Sequence, residues 1–152
     1  MDSVGILSDP VDVPVVSAAP GIFTWNLFFG IRGVGLDRAF VYNEDGKQNS
    51  PLDPASRGSV ILFYATGAGQ TDPAGVDGQL TGAGPPKPLL PVSVRIGGQE
   101  AEVLSAGGAG GFVAGLMELH VRVPETVAGD ALPIEFIVGG ASSQTGLAVS
   151  VK

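Results

Sequence analysis

Met117-Glu118-Leu119-His120-Val121-Arg122-Val123-Pro124 is the stretch whose reading decides the fold. Four apolar residues alternate with three polar ones, and a proline stops the run. Alternation of period two puts one set of side chains on each face of an extended chain, so the stretch is predicted to be a half-buried β-strand. The same pattern appears upstream, where Val92, Val94 and Ile96 alternate with Ser93 and Arg95. Gly97-Gly98 then supplies a two-residue hairpin turn, and Glu100 to Ala106 returns. Such a turn needs positive φ at both central positions, which glycine adopts without a Cβ penalty. Downstream, Leu132, Ile134, Phe136 and Val138 form another strand, Gly139-Gly140 turns it, and Leu147, Val149 and Val151 close the domain.

The first half reads less cleanly. Ser59 to Thr66 is its strongest strand, with Val60, Leu62 and Tyr64 on one face and Ile61, Phe63 and Ala65 on the other. Apolar residues on both faces predict a central, well-covered strand. Arg38 to Asn43 is a short strand closed by the turn residues Glu44-Asp45-Gly46-Lys47. Asp12 to Ala18 contains Pro14, which removes a ladder donor, and is predicted to be an edge strand. Ala19-Pro20-Gly21 breaks it, and Ile22-Phe23-Thr24 follows. Residues 67 to 91 form a long Gly/Pro/Asp loop of the kind that is functional or packed by its own side chains. No apolar period of 3.6 residues runs long enough for a helix. The expected fold is all-β: an immunoglobulin-like β-sandwich of roughly seven to nine strands with Greek-key connections. Residues 11–152 make one domain, and residues 1–10 are a linker or a pairing segment.

Bulk composition narrows the function classes. The chain has 152 residues, enough for a two-layer core in one domain. A formal charge of −7 argues against nucleic acid, which needs Lys and Arg to neutralise phosphate, and against an anionic membrane surface. No apolar run approaches a membrane-spanning length, so membrane insertion is not expected. Cysteine is absent, which excludes disulfides, thiolate metal sites and a Cys nucleophile. The acidic, weakly charged, Gly-rich composition suits an extracellular or cell-surface protein. Met1 to Pro10 lacks a basic region followed by an apolar stretch, so an export signal would lie upstream.

Three segments carry a resemblance: "VSAAPGIFT", then "VYNEDGKQNSPLDPASRGSVILFYATGAGQTDPAGVDGQL", then "PVSVRIGGQEAEVLSAGGAGGFVAGLMELHVRVPETVAGDALPIEFIVGGASSQTGLAVSVK". From about Val11 onward the chain resembles the C-terminal domain recurrent in large exported proteins of Solibacter-type soil acidobacteria. Its second half also looks like the IPT/TIG group of immunoglobulin-like domains. The most specific motifs are the Gly67 to Gly78 loop and the Gly139 to Gln144 turn. The resemblance implies an immunoglobulin-like sandwich at the end of an extracellular multidomain protein. It implies no known activity, so no catalytic residue carries over. The Trp25 to Asp37 stretch departs from the family pattern in being more aromatic.

Each chemistry has a plain structural alternative. His120 lies between Glu118 and Arg122, and a surface histidine in a cross-strand pair is the favoured reading. No G-x-S-x-G elbow occurs, and turn or strand signals already account for Ser59 and Ser143. Gly67-Ala68-Gly69 lacks the third glycine and the following helix of a nucleotide fingerprint. Fifteen acidic residues make chance carboxylate pairs common, and no spacing marks a glycosidase pair. Asp72 and Asp77 share a Gly-rich loop where carboxylates and carbonyls can converge on calcium, although Asx turns explain them more simply. Asn43 and Asp45 occupy a second such turn. Trp25, Phe28, Phe29 and Tyr42 are the candidate ligand-binding residues: exposed, they would stack on a sugar ring or a partner; buried, they cap the core. The expectation is a non-catalytic extracellular module, a spacer, adhesion or assembly domain whose partners are neighbouring domains or copies of itself, with no cofactor. The alternative is a carbohydrate-binding module that uses Trp25 and the 67–91 loop to hold a glycan.

Overall fold

The computed structural model describes residues 11–24 and 37–152. All regular structure among them is β: β1 Gly21–Ile22, β2 Asp37–Arg38, β3 Val41–Tyr42, β4 Val60–Thr66, β5 Thr71–Asp72, β6 Lys87–Pro88, β7 Val92–Ile96, β8 Gln99–Gly108, β9 Met117–Arg122, β10 Gly129–Val138, β11 Ala141–Ser142 and β12 Leu147–Val151. The all-β expectation holds. Twelve segments exceed the seven to nine expected because half of them are only two residues long. No helix among the described residues is long and apolar enough to cross a membrane.

The segments pair in the order β1-β4-β9-β8-β7-β10-β12-β2, with β3 also on β4 and β11 also on β10. Two long strands make this continuity by changing partners midway. Residues 99–101 of β8 pair with β7, and residues 102–108 pair with β9. Residues 134–138 of β10 pair with β7, and residues 129–133 pair with β12. A bulge at Leu104 in β8 inserts one extra residue against β9 and resets which side chains face inward. Residues 37–42 then bring the ends of the ladder together. Arg38 pairs with Ala148 of β12, and Val41 pairs with Phe63 of β4. The sheet therefore nearly closes on itself, like a barrel.

The core fills that enclosure. Ile61, Phe63 and Ala65 of β4, Leu119 and Val121 of β9, Val94 and Ile96 of β7, and Phe136 and Val138 of β10 are all buried. The Phe63 and Phe136 rings meet edge to face, with centroids 6.3 Å apart and planes at 76°. Both glycine hairpins form as the sequence predicts: Ile96 pairs with Gln99 across Gly97-Gly98, and Val138 pairs with Ala141 across Gly139-Gly140. The β9 alternation is equally literal, with Met117, Leu119 and Val121 buried and Arg122 exposed.

Three expectations are corrected. Asp12 to Ala18 forms no strand, and Val11, Val13, Val15 and Val16 are 64–98% exposed. A strand needs a ladder partner, and these residues pair with no strand among the described residues. The 67–91 loop is not structureless: β5 and β6 pair as a small ribbon, and Leu80 bridges Val113. Its base is held by close backbone approach. Ala19 N–H donates to the Gly67 carbonyl at 2.9 Å, and a Cβ on Gly67 would strike the Ala19 carbonyl. Finally, β4 is central but covered fully on one face only, since Val60, Leu62 and Tyr64 remain half-buried.

Two side-chain amides act where strands are missing. Asn49, itself buried, accepts the Ser150 N–H at 2.7 Å and donates to the Ser150 carbonyl at 2.8 Å. Gln144 does the same for Ile22, accepting its N–H at 3.0 Å and donating to its carbonyl at 2.6 Å. An amide group carries the same donor and acceptor pair as a peptide unit, so each substitutes for one residue of an absent strand. Ser150 completes a polar hub: its hydroxyl donates to the Asp130 carbonyl at 2.6 Å and accepts from Arg38 at 3.0 Å. Satisfying every group is what makes a fully buried serine tolerable.

Candidate functional site

The outward face of β4 is where the described chain gathers aromatic side chains. Tyr64 projects there because Phe63 and Ala65 project into the core. Phe40 and Tyr42 flank buried Val41 and so share one face, with ring centroids 5.1 Å apart in an edge-to-face contact. Phe112, 51% exposed, comes from the loop before β9 and lies 6.3 Å from the Tyr64 ring. Together with Phe23, Thr24 and Leu116 they line a groove of about 500 Å3. A second groove of about 490 Å3 shares Tyr42 and Tyr64 and extends past Leu62 to Asn43, Glu44 and His120. The two form one continuous surface, apolar at one end and polar at the other.

Register explains the polar end. Leu62 pairs with His120, and Tyr64 pairs with Glu118. His120 Nε2 lies 2.9 Å from Glu118 Oε1, two residues back on the same strand. The expected cross-strand partner is thus replaced by a same-strand one, because the residues facing His120 on β4 and β8 are Leu62 and Ser105. Burial, and then the Glu118 carboxylate beside it, hold the Tyr64 phenol above its ordinary pKa. Its hydroxyl therefore stays protonated as a hydrogen-bond donor through the physiological range.

The remaining candidates are dispersed. Ser59 Oγ donates to the Ser56 carbonyl at 2.6 Å, and Ser143 Oγ accepts the Phe136 N–H at 3.1 Å, so neither is directed at His120. Asp72 is exposed in β5 opposite Lys87. Asp77 is exposed in the following turn, where it borders a cavity of about 290 Å3 with Gln70, Thr71 and Thr81. Asp72 does not line that cavity. Asp45 is engaged by Lys47 at 3.4 Å, and the Asn43 amide donates to the Asp53 carbonyl at 2.7 Å. Among the described residues no three His, Cys, Asp or Glu side chains gather as a metal set.

Of the four aromatic candidates, Tyr42 is in the groove, while Trp25, Phe28 and Phe29 lie outside the described residues. Phe23, Phe40, Tyr64 and Phe112 were missed. The i, i+2 spacing of Phe40 and Tyr42 around an inward valine was a usable signal for the first pair. No protein-family model matches the chain, and neither a curated protein nor a solved structure matches it.

Proposed function

We propose that the chain is a non-catalytic, immunoglobulin-like β-sandwich module with Greek-key connections, working outside the cell as a spacer and assembly domain of a larger exported protein. The observation that carries this reading is the path of the chain. Ala19 is tied to Gly67, just beyond the end of β4, whereas Lys152 is tied to Ala55 and Arg57, just ahead of its start. The seven residues of β4 span roughly 23 Å. Ala19 and Lys152 are thus held at opposite ends of β4, an arrangement in which load applied between them runs along the strand. The contact of Phe63 with Phe136 across the core and the partner changes of β8 and β10 support the sandwich description. Pulled in an optical trap between handles at Val16 and Lys152, the domain should rupture in one cooperative event. Gradual yielding at low force would remove the spacer reading, and substrate turnover abolished by His120→Ala would replace it with an enzyme.

A second reading has its own observation. The cavity under the 67–91 loop sets Gln70, Thr71, Asp77 and Thr81 against a glycine-rich wall. That combination of amide, hydroxyl and carboxylate groups matches the donors and acceptors of a sugar. On a broad glycan array this reading expects binding that falls about tenfold or more in Gln70→Ala/Asp77→Ala, with Trp25→Ala scored alongside. An array without signal retires it.

A further inference from the structure

We propose that the aromatic groove on β4 receives the Val11–Val16 segment of a second copy of this chain, exchanged reciprocally. The inference rests on the assembly reading and names its partner. Its first support is a segment without a place. Val15 is 98% exposed, Val11 81%, Val13 76% and Val16 64%, and residues 11–16 make no hydrogen bond among the described residues. Four valines held in water are a surface that association removes.

The second support is chemical fit. Val11-Asp12-Val13-Pro14-Val15-Val16 carries a proline at its centre, which biases it to an extended backbone. Grooves walled by aromatic rings are the surfaces that take extended, proline-containing apolar segments. Tyr42, Tyr64 and Phe112 supply such walls, and Phe112 is half exposed at the rim. The high exposure of the valines shows that the segment does not occupy its own groove. The segment is rooted beside the Gly67 turn, where Ala18 is buried and the Ala19 N–H donates to the Gly67 carbonyl.

Area decides the stoichiometry and the strength. Six extended residues span about 20 Å and cover a strip roughly 10 Å wide, or about 200 Å2 on each partner. One such docking is too small to hold two proteins together. Two, exchanged about a two-fold axis, total about 800 Å2, below the roughly 1,000 Å2 of a stable interface and in the range of a transient one. The expected species is therefore a weak dimer that forms with rising concentration.

Sedimentation analysis of the full chain over a wide concentration range tests this. The wild type should pass from monomer to dimer, and Val13→Asp/Val15→Asp and Phe112→Asp should each weaken association about tenfold or more. All three positions are exposed, so the variants should keep the wild-type circular dichroism. A wild type that stays monomeric throughout, or a dimer indifferent to the segment variant, overturns the proposal. A monomer that still ruptures cooperatively under force separates that failure from failure of the spacer reading.

Discussion

Phe136→Ala should lower stability by about 3–5 kcal/mol, the usual cost of removing a fully buried ring together with its packing. For a domain of this size that corresponds to a drop in Tm of roughly 6–20 °C. Phe136 is chosen because it has no solvent exposure and its ring meets Phe63 edge to face at 6.3 Å. The contact joins β10 to β4, elements that are not ladder neighbours, so it measures cohesion across the interior rather than along the sheet. Calorimetry of Phe136→Ala, Phe63→Ala and the double variant gives the coupling directly. Because each ring packs against the other, the two losses should not add. A shift below about 2 °C for Phe136→Ala would mean that the interior is not packed as described.

Asn49→Ala should cost about 2–4 kcal/mol although it deletes only a small polar side chain. The variant strands the buried Ser150 N–H, removes one donor to the Ser150 carbonyl, and breaks the bond to the Asn43 amide oxygen. A buried donor left without an acceptor costs about 1–3 kcal/mol, and the lost bonds add to it. The Ala55 N–H still reaches the Ser150 carbonyl at 3.0 Å, which limits the damage on that side. Urea unfolding measures the total. The isostere Asn49→Asp supplies a pH signature. Burial, and the Ser150 carbonyl facing it, would raise this carboxyl above its unfolded value of about 3.9. The folded state then binds the proton more tightly, so the variant is least destabilised in acid and loses stability as pH rises through the folded pKa. A pH-independent loss, or none, would contradict the surrogate-strand role of Asn49.

What could be read in advance divides along a physical line. The Gly97-Gly98 and Gly139-Gly140 hairpins and the β9 alternation are local features, set by φ preference and the two-residue pleat, and they stand in the structure as expected. The edge strand over Asp12–Ala18 failed because a strand exists only with a partner, and partner choice is not written in seven residues. The midway partner changes of β8 and β10 were equally hidden, since each depends on where two other strands come to rest. Asn49 and Gln144 read as ordinary loop residues, because only the assembled sheet shows which backbone groups need an amide.

The candidate site followed the same rule. Tyr42 was visible as an aromatic on a short strand, and its place in the groove was not. The groove draws on β1, β3, β4 and the loop before β9, so its walls are remote in sequence and adjacent only through pairing. The 67–91 segment was recognised as a loop with consequences, but its internal ribbon and the cavity beside it required the fold.

The two amide surrogates have a consequence for aggregation. A bare backbone rim invites a neighbour's rim, and repetition of that contact grows fibres. At Ile22 and Ser150 the invitation is already answered from within the molecule. Those two backbone positions therefore offer a second copy no free donor to template on.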